Sequence, residues 1–334
     1  MTLCDICKVN PASFFQRHTR KRLCRDCFEL SILTRVKDQI ERYSMLSLND
    51  TVAIGISGGK DSYVLVYILA QILSPNKIIG ITIDEGITGY SRSEIYRSVK
   101  ALCSSLRIDC IYVSMKEALG YSVDDFMERY LDAIHNKNIN LPISACTYCG
   151  IARRRILNIY ARELGATKVA TGHNLDDEVQ TYVINILRGD IIRLIQLHPL
   201  SRTHSPKLIK RIKPMRSLYE YETSFYAYLL RYPFQEFECP YIETRPTLRV
   251  KVREMLNEVE KLNPGAQLNL LEFLDNLVEH IINIQKISLP LCKLCGEPTS
   301  PNREICKFCE LIELVKHGQN FMIATNTDKK DGNA

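Results

Sequence analysis

A chain of 334 residues, 46% apolar and 25% charged, is long enough for one sizeable α/β core with small appendages, and its composition excludes a disordered or fibrous protein. No apolar run approaches the roughly 20 residues that span a bilayer, and Met1-Thr2-Leu3-Cys4-Asp5 lacks the features of a secretory signal, so a cytoplasmic protein without a membrane partner is expected. The net charge of +6 is mild, but basic residues cluster at 17–22, 153–155 and 202–216, the last with six Lys or Arg and no acid, which suits a phosphate backbone as well as a solvated face.

Thirteen cysteines in a reducing compartment point to metals or sulfur chemistry rather than disulfides. The first four form two knuckles, Cys4-x-x-Cys7 and Cys24-x-x-Cys27, a spacing that can place four thiolates tetrahedrally around zinc, with iron as the competing metal. Residues 1–35 are expected to fold as a zinc module, the metal substituting for a core that so short a segment barely builds.

Thr51-Val52-Ala53-Ile54-Gly55-Ile56 reads as a buried strand running into Ser57-Gly58-Gly59-Lys60-Asp61-Ser62, after which Val64, Leu65, Ile68, Leu69 and Ile72 share one helical face. Glycines between a strand and a helix let the backbone curl and aim amides and the positive helix end at an anion. Ser57 and Ser62 can donate hydroxyls, Lys60 adds charge, and Asp61 is suited to magnesium. The loop is too short for Gly-x-x-x-x-Gly-Lys-[Ser/Thr]. A plain tight turn gains nothing from Ser, Lys, Asp and Ser together. Gly55, Ser57, Gly58, Gly59, Lys60, Asp61 and Ser62 are the expected nucleotide contacts.

Further strands at 78–83, ending at Asp84, at 110–114, and at 168–171, ending at Gly172-His173, alternate with helices. The pattern predicts an α/β fold with a doubly wound, mostly parallel sheet. Ligands of such sheets sit beyond the carboxyl ends of the strands, which nominates Asp84, Gly172 and His173. Gly172-His173-Asn174-Leu175-Asp176-Asp177-Glu178 then enters a helix whose first turn holds three acids. Capping explains some of them, and Asp177 is the one expected to hold magnesium or handle a base.

Cys146-Thr147-Tyr148-Cys149-Gly150 offers two thiols without a second knuckle nearby, and Cys239, in Glu238-Cys239-Pro240-Tyr241, is the candidate third. Three thiolates would leave one iron of a four-iron cluster free for sulfide or substrate sulfur. Persulfide chemistry and zinc with a distant fourth ligand use the same thiols. Cys103 and Cys110 read as buried and inert. Cys292-x-x-Cys295 and Cys306-x-x-Cys309 repeat the plan of the first module. Residues 36–288 are thus expected to form the catalytic domain with a helical C-terminal part, 289–317 a second zinc module, and 318–334 a polar, disordered tail.

The loop at 57–62 resembles the pyrophosphate-loop signature of ATP pyrophosphatases that adenylate a carbonyl oxygen, with a fold like that of the adenine nucleotide alpha hydrolases. With the motifs at 146–150, 172–178 and 239–241 and both cysteine modules, the chain resembles the tRNA 2-thiouridine synthetases without a rhodanese domain, over roughly residues 1–315. One branch thiolates the wobble uridine 34 of tRNAs for Lys, Glu and Gln, and the other uridine 54 of the T-loop. Ile83-Asp84-Glu85-Gly86-Ile87-Thr88-Gly89-Tyr90, Asn185-Ile186-Leu187-Arg188-Gly189-Asp190 and the four-cysteine first module are similar to the wobble branch. Leu175 is shared with archaeal and T-loop sequences.

The resemblance implies an ATP-dependent tRNA-uridine 2-sulfurtransferase that adenylates the C2 oxygen and replaces it with sulfur. It implies magnesium-ATP, a [4Fe-4S] cluster on Cys146, Cys149 and Cys239, and roles in catalysis for these cysteines, Lys60, Asp61 and Asp177. Zinc at both ends, a ubiquitin-like carrier or sulfide as donor, and a homodimer, with or without a further subunit, complete the picture. A zinc-stabilised RNA-binding protein would explain the modules and basic patches, but predicts no ATP consumption and needs no intact pyrophosphate loop.

Overall fold

The structure, a computed structural model, describes residues 2–90, 92–137, 143–201, 204–234, 238–242, 247–282 and 287–317. The expected tail at 318–334 and Arg202 lie outside the described residues. The central sheet has five strands in the order β5-β4-β3-β6-β7: β3 (Val52–Gly55), β4 (Ile78–Asp84), β5 (Asp109–Ser114), β6 (Lys168–Ala170) and β7 (Lys210–Ile212). Every pairing is parallel. Val52, Ala53 and Ile54 of β3 are fully buried, as a central strand covered on both faces requires. The chain winds outward from β3 to β5, then returns to β6 and β7, so the order reverses between β3 and β6. That is the switch point where a doubly wound sheet opens its crevice.

Helices cover both faces. α1 (Arg25–Arg42), α2 (Lys60–Ile72) and α9 (Glu220–Leu230) share one core with the first cysteine module, whose hairpin is β1 (Phe14–Gln16) and β2 (Lys21–Leu23). α3 (Arg92–Ser105) packs along β4 and β5. The other face carries α4 (Met115–Leu119), α5 (Val123–Lys137), α6 (Ala145–Glu163) and α12 (Lys307–His317), which build a second core with the last cysteine module. A third core joins α7 (Leu175–Leu187), α8 (Ile191–Leu197), α10 (Leu248–Leu262) and α11 (Ala266–Ile282). At its heart Arg216, fully buried, donates to Asp275, which also accepts from Tyr43 at 2.7 Å and Tyr182 at 2.9 Å. Breaking such a buried pair costs about 3–5 kcal/mol, because the remaining charge is stranded.

Strand β7 has no counterpart in the sequence reading. Its three residues, Lys210, Arg211 and Ile212, carry one apolar side chain and hold their place by pairing with β6. No helix among the described residues is long and apolar enough to cross a membrane.

Candidate functional site

The pyrophosphate-type loop joins β3 to α2, with Gly59 in extended conformation as the N-cap residue. Gly58 has φ +83°, and a Cβ there would lie 2.0 Å from Cγ2 of Ile95, so both backbone and space demand glycine. Ser62 donates its hydroxyl to the Gly59 carbonyl at 2.7 Å, and the Gly59 amide donates to Ser57 Oγ at 3.3 Å. These hydroxyls knit the loop itself. Gly172, just past β6, lies against the same helix start: a Cβ would sit 3.0 Å from the carbonyl carbon and oxygen of Asp61 and 3.1 Å from the Ser62 nitrogen.

Three helix N-termini converge here, those of α2, α7 and α9. Lys60 Nζ donates to Asp61 at 2.8 Å and to Glu220 at 3.2 Å. Thr223 donates to Asp61, and the Glu220 amide donates to Asp176 at 2.8 Å. Between them lies a cleft of about 230 Å³ lined by Asp61, Asn174, Asp176, Asp177, Glu220 and Arg249, among others. The positive ends of three helices and the carboxylates of four acids could hold phosphates accompanied by a cation. Burial opposes the charge of Lys60, yet Asp61 and Glu220 hold its ammonium above the ordinary lysine range. Burial, reinforced by Glu220 and Asp177, raises Asp176 to about 6. Asp177 is also raised by burial. It closes a capping box with Asn174, and Arg249 stands 3.6 Å away.

Not all the nominated residues share this cleft. Asp84 ends β4, where Tyr112 and the Gly86 amide, the latter at 2.9 Å, occupy its carboxylate. His173 bonds the Thr171 hydroxyl at 2.9 Å, and desolvation with the charge of Lys213 and Arg211 lowers it to about 4, so its ring is neutral at pH 7. Gly55 faces Leu157 of α6, 3.2 Å from where its Cβ would be. Glu178 is buried and receives Lys213. Glu220, Thr223 and Arg249 were missed by sequence reasoning because they come from segments far along the chain that no motif marks.

Helix α6 precedes β6, so it runs against the strands and begins at the edge where β3, β4 and β6 end. Cys146 and Cys149 occupy its first two turns, behind the Ser144 N-cap. Cys146 is exposed, and Cys149 and Cys239 are half-buried. Cys146 Sγ lies 3.8 Å from the carbonyl of Tyr241, two residues past Cys239. Asp124 fixes that arm: it accepts from Tyr241 at 2.8 Å and from the amide and hydroxyl of Thr88 at 2.8 and 2.7 Å. Burial and the nearby carboxylate of Glu85 push the Cys149 thiol up to about 11, against the pull of Arg153.

The two terminal modules gather their sulfurs closely. Cys4, Cys7, Cys24 and Cys27 form one group within 4.8 Å, and Cys292, Cys295, Cys306 and Cys309 another. Sulfur separations of 3.9 Å between Cys7 and Cys24 and 3.7 Å between Cys295 and Cys306 fit one tetrahedral ion. A metal–sulfur bond of about 2.3 Å gives about 3.8 Å between ligands. Amides of Cys306 and Cys309 donate to Cys292 and Cys306 sulfurs at 3.2 and 3.4 Å, supporting thiolate charge. The internal trio is not among such groups in the described residues.

The basic residues divide by partner. Arg155 donates to Cys295 Sγ at 3.2 Å, Arg153 lies 3.4 Å from the buried Glu85, and Arg216 is locked on Asp275. Arg154 and Arg211 have no ion pair among the described residues; desolvation and the charges of Arg153 and Arg193 depress Arg154, while desolvation and the charge of Arg154 depress Arg211 to about 10. Both are exposed and open to an outside anion.

A PP-loop domain family model matches residues 32–256. The chain is 33% identical to a probable sulfurtransferase of Methanocaldococcus jannaschii over 92% of its own length and 86% of that protein's. It is 32% identical to cytoplasmic tRNA 2-thiolation protein 1 of Oryza sativa, covering 95% of this chain and 84% of that one. Its structure superposes on the U34-tRNA thiolase NcsA of Methanococcus maripaludis, solved with its [4Fe-4S] cluster, with a TM-score of 0.76 at 30% identity, covering 93% of this chain and 95% of that one. The chain belongs to the PP-loop family of cytoplasmic and archaeal tRNA 2-thiolation proteins.

Proposed function

We propose that this protein is an ATP-dependent tRNA 2-thiolase of the cytoplasm that acts on wobble uridine 34. The observation that carries the reading is that the phosphate loop and the Cys146/Cys149 pair open on the same edge of one sheet. Relatives named for tRNA 2-thiolation, matched over more than 90% of this chain, support it, and several are named as cytoplasmic.

Uridine O2 is a poor leaving group until it is phosphorylated. In the proposed sequence, O2 attacks the α-phosphorus of ATP, forming a C2–O–P linkage as the bond to pyrophosphate breaks. Sulfur then attacks C2, and the C2–O bond breaks with release of AMP. Lys60 and the loop amides of Gly58 and Gly59 hold the negative charge that develops on the leaving pyrophosphate. Asp61, Asp176, Asp177 and Glu220 would hold magnesium, which supplies charge neutralisation at the phosphates. Neutral His173, just past the carboxyl end of β6, is suited to hydrogen-bonding the base without adding charge. Arg154 and Arg211 are placed to take tRNA phosphates.

Cys146, Cys149 and Cys239 would hold a [4Fe-4S] cluster, which supplies an open coordination position for sulfide. Zinc is the metal assigned to both terminal modules. A ubiquitin-like carrier thiocarboxylate or free sulfide donates the sulfur, and the working unit is a homodimer, with or without a further subunit.

The test is nucleoside-resolved mass spectrometry of unmodified tRNA incubated anaerobically with cluster-reconstituted protein, magnesium-ATP and sulfide. Thiouridine confined to anticodon fragments is expected, and Lys60→Met should lower the rate by about 10²–10³-fold. Thiouridine in T-loop fragments would overturn the position but keep the chemistry. ATP-independent tRNA binding with no thiolated base would overturn both.

A further inference from the structure

We propose that the C-terminal metal module is a brace for helix α6, with Tyr148 and Arg155 as positioning residues that hold the Cys146/Cys149 pair in place; its functional meaning rests on the reading that this pair carries the sulfur chemistry. α6 meets the module through Tyr148, Arg155 and Arg162, spaced seven apart. At 3.6 residues per turn these fall on one stripe about 21 Å long.

Each contact reaches a part of the module that the metal ligands define. Tyr148, between the two cysteines in sequence, is fully buried. Its ring stacks 4.0 Å from Phe126 of α5 at an angle of 1°, with Phe308 6.1 Å away. Its hydroxyl donates to the Tyr121 carbonyl at 3.0 Å. Phe308 lies between Cys306 and Cys309. The Arg155 guanidinium sits 4.8 Å over the Phe308 ring and donates to Cys295 Sγ at 3.2 Å. Arg162 forks onto Glu297 at 2.7 and 3.2 Å, two residues past Cys295.

The physical sequence follows. Four thiolates within 4.8 Å of one another repel unless a cation joins them, so the module's shape depends on its metal. With the metal in place, Phe308 and Cys295 are fixed, and they in turn fix Arg155 and one side of Tyr148. The other restraints on these turns come from α5 and the Tyr241 arm, through the Phe126 stack and the Tyr121 carbonyl on Tyr148 and the Tyr241 carbonyl near Cys146, while Thr147 bonds locally to Ser144. A module that merely hung from α6 for its own stability would leave those turns unchanged when loosened.

Hydrogen exchange of the full-length protein distinguishes the two. In Phe308→Leu and Arg155→Gln, amides of residues 144–151 are expected to exchange a few-fold to about tenfold faster, the scale of one lost aromatic or cation–π contact. Helix α2 should keep its wild-type rates, and Phe308→Tyr should restore 144–151. Wild-type exchange at 144–151 in both variants would overturn the proposal, and so would equal acceleration in α2, which signals global loosening. If Phe308→Leu does not fold, Arg155→Gln carries the test, its side chain being only partly buried. A parallel arm follows iron release from reconstituted protein to a chelator, expected to be faster in both variants. A wild-type protein that takes up no iron would count against the proposed sulfur site, while the exchange rates still decide the brace.

Discussion

Gln16, in the hairpin of the first cysteine module, donates its side-chain amide to Glu222 at 2.9 Å, joining residues 206 positions apart in the chain. Arg35 of α1 reaches the same carboxylate at 2.7 and 2.8 Å. Glu222 is fully buried in the first turn of α9, beside Thr223 and Glu220, which hold Asp61 and Lys60. The N-terminal module therefore supports the nucleotide loop from behind. Gln16→Leu leaves Glu222 one donor short and should cost about 1–2 kcal/mol in chemical denaturation. It should also weaken binding of a non-hydrolysable ATP analogue in calorimetric titration. Unchanged affinity at reduced stability would mean that the link serves folding alone.

Gly172 is a second point where the nucleotide loop depends on a distant residue. Its φ is not in the left-handed region, so alanine meets no backbone strain there; the obstacle is the Asp61 backbone 3.0 Å from the added methyl. Gly172→Ala should push the start of α2 outward and reduce ATP affinity about tenfold or more, with a stability loss of about 1–3 kcal/mol. Gly165→Ala is the informative control, because its Cβ meets nothing within 4 Å but its φ is +71°. That variant should lose stability without losing ATP affinity.

The parts of this molecule legible in the sequence are those whose chemistry is local. The β3 run, the loop at 57–62 and the four-cysteine spacings each carry their reason within a few neighbouring residues, and the structure gathers both terminal cysteine groups within 4.8 Å. What escaped was long-range. Glu220 and Thr223 read as an ordinary acidic helix start until the fold sets them on Lys60 and Asp61. Asp124 reads as a helix-capping acid, yet it ties Tyr241 to Thr88. The run Arg153, Arg154, Arg155 looks like one basic patch, but successive helical positions point about 100° apart. Arg153 consequently faces Glu85 and Arg155 the thiolates, while Arg154 is exposed.

Metal content separates the cysteines by role. Cys239→Ala should abolish most iron uptake on reconstitution and lose the visible absorption of a cluster, while zinc at the terminal modules stays as in the wild type. Cys27→Ser should do the reverse, lowering zinc and stability while iron loading persists, since the first module packs against α1 and α9 rather than α6. Elemental analysis with absorption spectra on both variants checks this. Loss of zinc but not iron from Cys239→Ala would place the internal thiols at a zinc site instead.

Asp176 gives the nucleotide cleft a measurable pH signature. Its carboxyl is raised from an ordinary value of 3.8 to about 6, first by burial and then by Glu220 and Asp177. Between pH 4 and 6 the folded protein thus keeps a proton that the unfolded chain has released. Stability falls as pH rises through that window, and the full cost is present above pH 6. Asp176→Asn keeps an oxygen to accept the Glu220 amide, seen at 2.8 Å, but carries no charge. Variant and wild type should melt alike near pH 4 and diverge by pH 7, with the variant more stable by about 1 kcal/mol; the whole shift corresponds to no more than about 3 kcal/mol before screening by solvent. Magnesium-ATP should reverse the order, because a cation beside the carboxylate favours its ionised form and only the wild type gains from it. Thermal scans at several pH values, with and without magnesium-ATP, read both effects. A stability difference that is flat in pH would show that Asp176 is ionised throughout, and an unreversed order with ligand would take it out of the cation site.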